Sequence, residues 1–160
     1  MRIDMNRDTR TNVSLDPSAG GPLSQAHRLT RVGDVMTRDA MTLSSSHSFA
    51  AAVSLMAERQ FHHIVIVDAQ NHVAGIISDR DILRALGRTP SWDTTDLSHV
   101  MTRDPHTVKR ETLLPVAVSK MIENRINCLP VVDDAGTCCG ILTSTDLLKS
   151  YHQFLESLEK

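Results

Sequence analysis

Apolar positions along this chain follow two rhythms. Phe49, Ala52, Val53 and Met56 fall at i, i+3, i+4 and i+7, the spacing of one face of an amphipathic helix. Next comes a short apolar run, His63-Ile64-Val65-Ile66-Val67, ending in the turn-forming Asp68-Ala69-Gln70-Asn71. A second run, Val73 to Ile77, completes a hairpin signal. A closing helix then carries Ile82, Leu83 and Leu86, and a short first strand is expected near Met41–Leu43.

The same order returns 65 positions later, where Val100-Met101-Thr102-Arg103-Asp104 repeats Val35-Met36-Thr37-Arg38-Asp39 letter for letter. The register holds without a gap: Thr42 meets Thr107, Met56 meets Met121, Gly75-Ile76 meets Gly140-Ile141, and Asp81 meets Asp146. Leu114, Ala117, Val118 and Met121 restate the helical face, and Cys128 to Val132 and Cys138 to Leu142 restate the hairpin. The final helix is longer than its counterpart, with Leu147, Leu148, Tyr151, Phe154, Leu155 and Leu158 at helical spacing. That stripe suits either a dimer contact or packing within one chain. Each copy therefore reads strand, helix, strand, strand, helix, with the second copy's first strand near His106–Val108. One unit this small buries too little apolar surface to be secure alone, so two are expected to pack sheet to sheet around a pseudo-twofold axis.

This pattern sets the boundaries: a disordered tail over 1–30, units at 31–88 and 97–160, and a linker at 89–96. The tail is rich in Ser, Thr, Asn, Asp, Gly and Pro, with isolated apolar residues. Trp92, the only tryptophan, is expected to pin the linker rather than read a ligand.

Composition narrows the class. Net charge is -2 and aromatics are 3%, so neither a basic field nor a stacking platform for nucleic acid is present. No apolar run approaches the roughly 20 residues of a membrane helix, and the N-terminus has no secretory pattern. Three cysteines, two of them adjacent, make no disulfide framework, and reduced thiols suit the cytoplasm. The expected class is a soluble, intracellular α/β (α+β) protein.

Asp-Val-Met-Thr at the start of copy one, kept as Val-Met-Thr after His99 in copy two, and Gly-Ile-x-Ser/Thr-x-x-Asp at the end of each resemble the CBS domain family, whose tandem pair is called a Bateman module. The resemblance covers about 120 of the 160 residues. It implies two symmetry-related clefts that in many members hold AMP, ADP, ATP, S-adenosylmethionine or another adenosyl compound. It also implies a homodimer.

The resemblance carries ribose binding to Asp81 and Asp146, with Ser78 and Thr143 as helpers. The chemistry fits, because an ionised carboxylate accepts hydrogen bonds from vicinal hydroxyls. Ser/Thr-x-x-Asp ahead of an apolar helical run is also a capping box, and the two roles are compatible. His62 and Arg80 are the phosphate candidates, with neutral counterparts Asn127 and Thr145, so the clefts are expected to be unequal. A surface salt bridge is the competing role for Arg80. Thr42 and Thr107 are weaker candidates beside an adenine pocket, while Ile64 and Leu129 read first as core. The Leu129-Pro130-Val131 of copy two has no proline match in Ile64-Val65-Ile66, which again points to unequal sites.

No nucleophile elbow, Gly-rich phosphate loop or metal-ligand cluster stands out, so neither catalysis nor an obligatory cofactor is expected. The reading is a regulatory module that binds an adenosyl ligand and signals to a separate effector protein. The alternative is a dimerising scaffold with empty or degenerate clefts.

Overall fold

The computed structural model describes residues 30–88 and 91–159. The tail expected over 1–30 lies, except for Thr30, outside the described residues, as do Thr89 and Pro90 of the linker. Copy one contributes α1 (Val32–Val35), β1 (Thr42–Ser44), α2 (Phe49–Arg59), β2 (His63–Val67), β3 (Val73–Ser78) and α3 (Asp79–Leu86). Copy two contributes β4 (Thr102–Arg103), β5 (Val108–Lys109), α4 (Leu114–Asn124), β6 (Cys128–Val132), β7 (Cys138–Thr143) and α5 (Ser144–Leu158). Single 3-10 turns at Trp92–Thr94 and Leu97–His99 join the halves. The first strands start one or two residues later than the expected Met41 and His106.

The sheets have the orders β1-β2-β3-β4 and β5-β6-β7. β1 runs parallel to β2 and β5 to β6, whereas each hairpin is antiparallel. The unbroken apolar run of β2 follows from burial on both faces. Ile64 and Ile66 meet Phe49, Ala52 and Met56 under the helices, while Val65 joins Ile76 and Ile141 between the sheets. Asp68 and Asp133 hold the hairpin turns, each Oδ1 accepting two backbone N–H bonds. Asn71 and Gly136 take the left-handed position in those turns, at φ 64° and 84°. The two tips also touch, since Cys138 N donates to Asn71 O at 2.9 Å.

Each copy's leading segment docks on the other copy. Val32, fully buried, belongs with Val108, Leu114, Leu129 and Leu142 of copy two. Leu97, equally buried, belongs with Phe49, Ile64 and Ile77 of copy one. The backbone bonds exchange in the same register: Val32 N donates to Thr112 O, and Leu97 N to His47 O, both at 2.9 Å. Thr37 then bridges Ile141, as β4 bridges Gly75 and Ile76. Neither core closes without a segment from the other copy.

Trp92 packs edge-on against Phe49, with ring centroids 6.1 Å apart. The closing helices each bury one face and expose another. Ile82 and Ala85 are buried, but Leu83 is 71% exposed and its counterpart Leu148 is 68% exposed. Leu86, Tyr151, Leu155 and Leu158 share that exposure. Helical spacing gathers Leu83 with Leu86 on α3 and Leu148, Tyr151, Leu155 and Leu158 on α5, and among the described residues nothing covers either group. Among the described residues, no helix is long and apolar enough to cross a membrane.

Candidate functional site: two related clefts

Two clefts of about 390 and 400 Å³ open where the sheets meet, within the range of small-molecule sites. They are related by the 65-residue shift. The first has Ile76, Ser78 and Asp81 where the second has Ile141, Thr143 and Asp146.

Both clefts are built on the start of a closing helix. Ser78 ends β3 in extended geometry, and its Oγ accepts from Asp81 N at 3.2 Å. Asp81 Oδ2 accepts in return from Ser78 N at 2.9 Å and Ser78 Oγ at 2.7 Å. Thr143 and Asp146 repeat the box, with Oδ2 accepting from Thr143 N at 2.8 Å and Thr143 Oγ1 at 2.6 Å. The sequence therefore produces two full capping boxes. In each, one carboxylate oxygen caps the helix and Oδ1 remains.

That remaining oxygen distinguishes the clefts. Thr37 Oγ1 donates to Asp146 Oδ1 at 2.9 Å, and Asp146 is only 8% exposed. Among the described residues Thr102, the counterpart of Thr37, makes no such bond. Asp81 Oδ1 lies 3.6 Å from Arg84 Nη1, on a carboxylate 19% exposed. The first cleft therefore presents a carboxylate oxygen with an open acceptor position, and the second presents one already held by a hydroxyl.

The structure brings Ser78, Arg80 and Asp81 together in the first cleft, and His62, Arg80, Thr143 and Asp146 in the second. His62 thus faces the aspartate of the other copy. Its Nδ1 lies 3.1 Å from Asp79 Oδ2, an exposed pair. Thr42 and Thr107 line neither cleft. Thr42 sits in β1 opposite Val65, and the Thr107 carbonyl accepts from Lys120 Nζ at 3.0 Å. The residues just before them, Met41 and His106, line the clefts instead. Ile64 and Leu129 are fully buried core.

Several lining residues escaped the sequence reading. Arg84 and Arg125 add cations to the first cleft and Lys149 adds one to the second, while Thr37 and Thr102 come from the crossing segments. The signal for Thr37 and Thr102 was present, in the repeated Val-Met-Thr-Arg-Asp, but that motif served to identify the repeat and the family resemblance, not a site. His63 lines both clefts, and burial pulls its pKa below the ordinary value despite the nearby Asp79. Burial pushes the Cys128 thiol, on the first cleft, up to about 12. Burial also raises Cys138 and Cys139. None of the three is set up as a thiolate nucleophile.

The family model for the CBS domain matches residues 32–88 and 97–153. The CBS domain pair of protein MJ0100, in complex with 5'-methylthioadenosine and S-adenosyl-L-methionine, superposes with a TM-score of 0.71. It is 28% identical, over 78% of this chain and 98% of that one. CBSX2 of Arabidopsis thaliana, in complex with AMP, superposes with a TM-score of 0.68 at 27% identity, over 77% and 96% of the two chains. A homoserine O-acetyltransferase of Methanocorpusculum labreanum is 33% identical over 116 residues, 72% of this chain and 23% of that protein. The chain spans about a quarter of the length of the first curated relatives it matches.

Proposed function

The chain belongs to the CBS domain family, with two copies in tandem, and on that footing we propose that it is a regulatory module that binds an adenosine-containing ligand and passes its occupancy to a partner protein. One observation carries the reading. In the first cleft, which Asp81 lines, its carboxylate spends one oxygen on the helix cap and leaves the other, 3.6 Å from Arg84 Nη1, without a hydrogen bond. A ribose needs such an acceptor, and a hydrogen bond to a charged group is worth about 1.5–3 kcal/mol. Ser78 and Asp81 hold the sugar, and Thr143 and Asp146 offer a second, more enclosed place. Arg80, Arg84 and Arg125 serve a phosphate in the first cleft, and His62 and Lys149 serve one in the second. The complexes of MJ0100 and CBSX2 support the adenosyl class. The unpaired cysteines fit a reducing cytoplasm.

Calorimetric titration with AMP, ADP, ATP and S-adenosylmethionine tests the proposal. Micromolar binding by the folded protein, weakened in Asp81→Ala by roughly one to two decades, is expected. No heat from any of the four would remove the adenosyl reading.

The exposed stripe of Leu148, Tyr151, Leu155 and Leu158, with Leu83 and Leu86, favours a homodimer as the signalling unit. It also keeps a second reading in play, a dimerising scaffold with empty clefts. Light scattering of wild type and Leu148→Glu/Tyr151→Glu measures the first point. A dimer that binds none of the four ligands selects the scaffold.

A further inference from the structure

His63, Asp79, Arg80 and Asn127 line both clefts. Only one of these four brings an unengaged positive charge. Asp79 is an anion set against His62, Asn127 is neutral, and burial disfavours the charged form of His63. Arg80 forms no side-chain hydrogen bond or ion pair among the described residues. Its counterpart Thr145, short and uncharged, lines the second cleft alone. At this position, two clefts related by a pseudo-twofold therefore share one guanidinium where strict symmetry would supply two.

We propose that Arg80 is a shared phosphate ligand, so that a phosphate-bearing adenosine ligand in one cleft weakens the capture of a second in the other. The proposal rests on the adenosine-ligand reading above and specifies its regulation. A guanidinium grips one phosphate in a planar fork, and turning that fork toward one cleft withdraws it from the other. The first cleft keeps Arg84 and Arg125 besides, so it fills first. The second is left with Lys149 and His62 facing Asp39 and Asp146. The coupling is reciprocal by linkage, and a ligand without phosphate does not feel it.

The test is calorimetric titration with AMP, and with adenosine as the phosphate-free control. The proteins are wild type, Asp81→Ala, Arg80→Thr, Arg80→Thr/Asp81→Ala and Thr145→Arg. Asp81→Ala cripples the first cleft, and Asp81 does not line the second, so this variant reports the second cleft alone. Wild type should bind AMP in two steps, the second about tenfold or more weaker than the affinity seen in Asp81→Ala, which is the loss of one charge-assisted contact. Adenosine should show no such gap. Arg80→Thr, read against Arg80→Thr/Asp81→Ala, should abolish the gap by removing the one guanidinium the clefts share. Thr145→Arg should narrow it by giving the second cleft its own guanidinium, and this variant does not depend on the Asp81 cap. A gap that persists in Arg80→Thr overturns the proposal. So does a wild-type second step equal to the isolated affinity, or a second cleft that stays inert in both Asp81→Ala and Thr145→Arg. Those results leave the adenosine-ligand reading standing. A folded protein that binds neither AMP nor adenosine overturns the proposal, and the adenosine-ligand reading falls with it only when ADP, ATP and S-adenosylmethionine also give no heat.

Discussion

Asp81→Asn separates the two jobs of one carboxylate. Oδ2 takes the cap bonds from Ser78 at 2.9 and 2.7 Å, while Oδ1 meets only Arg84, at 3.6 Å. An asparagine keeps one carbonyl oxygen for the cap and turns its amide nitrogen toward the cleft. A ribose hydroxyl that donated to a carboxylate then faces an N–H donor. Exchanging a charge-assisted hydrogen bond for at best a neutral one costs about 1–2 kcal/mol, or roughly 5- to 30-fold in affinity. The helix loses a negative charge in its first turn, about 0.3–1 kcal/mol. For a chain of this size that lowers the midpoint by roughly 1–4 °C. Calorimetry with AMP should thus show a tenfold-scale loss while scanning calorimetry of the free protein shows a shift of a few degrees. Asp146→Asn should reverse the balance. Its carboxylate is buried and takes a third bond from Thr37, so that loss is about 1–3 kcal/mol of stability. Wild-type AMP affinity in Asp81→Asn would refute the reasoning, as would a loss of affinity that only tracks a collapse of the fold.

Gly140→Ala puts a Cβ 2.6 Å from the Thr37 carbonyl oxygen, a backbone atom, at an expected cost of about 1–3 kcal/mol. At Gly75 the nearest atom, also at 2.6 Å, is the Met101 thioether, which can rotate away. Urea midpoints should fall further for Gly140→Ala than for Gly75→Ala, and equal midpoints would argue against the crossing contact. His63, lowered from 6.5 by burial and facing Asp79, His62, Asp81 and Arg80, binds its proton later in the folded chain than in the unfolded one. Its contribution is full above about pH 6.5 and is lost as pH falls from there toward the folded value. His63→Gln should flatten the fall in melting temperature between about pH 7 and pH 5, and an unchanged slope counts against the buried neutral ring. Cys128, at about 12, should resist iodoacetamide at roughly pH 8 until the chain is denatured. Rapid labelling of native Cys128, read by peptide mass, would contradict its raised pKa.

Local chemistry was the part that could be read from the residues. The repeat showed because five consecutive letters recur in one register, and the hairpins showed because Asp68 and Asp133 have donors two and four residues ahead to bind. Ser78-x-x-Asp81 and Thr143-x-x-Asp146 were legible for the same reason, since a capping box closes within four residues. Period alone was silent on what Leu83 and Leu86 meet. Helical spacing says which residues share a face, but what the face meets is decided by partners far along the chain or on another molecule. Thr42 and Thr107 are a different case. The family resemblance pointed to the segments at the start of β1 and β5, and the lining residues there are Met41 and His106, one position earlier.

The exchange of leading segments could not have been read from the repeat, and the repeat itself is the reason. Comparing copy with copy shows that Val32 equals Leu97 and Thr37 equals Thr102. A segment that docks on its own copy and one that docks on the other leave the same symmetric pattern. Only the fold decides, by placing Thr37 on Asp146, 109 positions away, and Val32 in the core of copy two. The choice has a physical consequence. Leu97 is fully buried in the core of copy one, so removing the second leader opens the first core, and the converse holds for Val32. The crossing segments that close the cores also supply Thr37 and Thr102 to the clefts. A ligand that grips both sides of a cleft therefore draws on the contacts that join the copies. Arg80 follows the same logic. Its mismatch with Thr145 was plain in the letters, but that one arginine reaches two cavities depends on the two copies meeting where their closing helices begin.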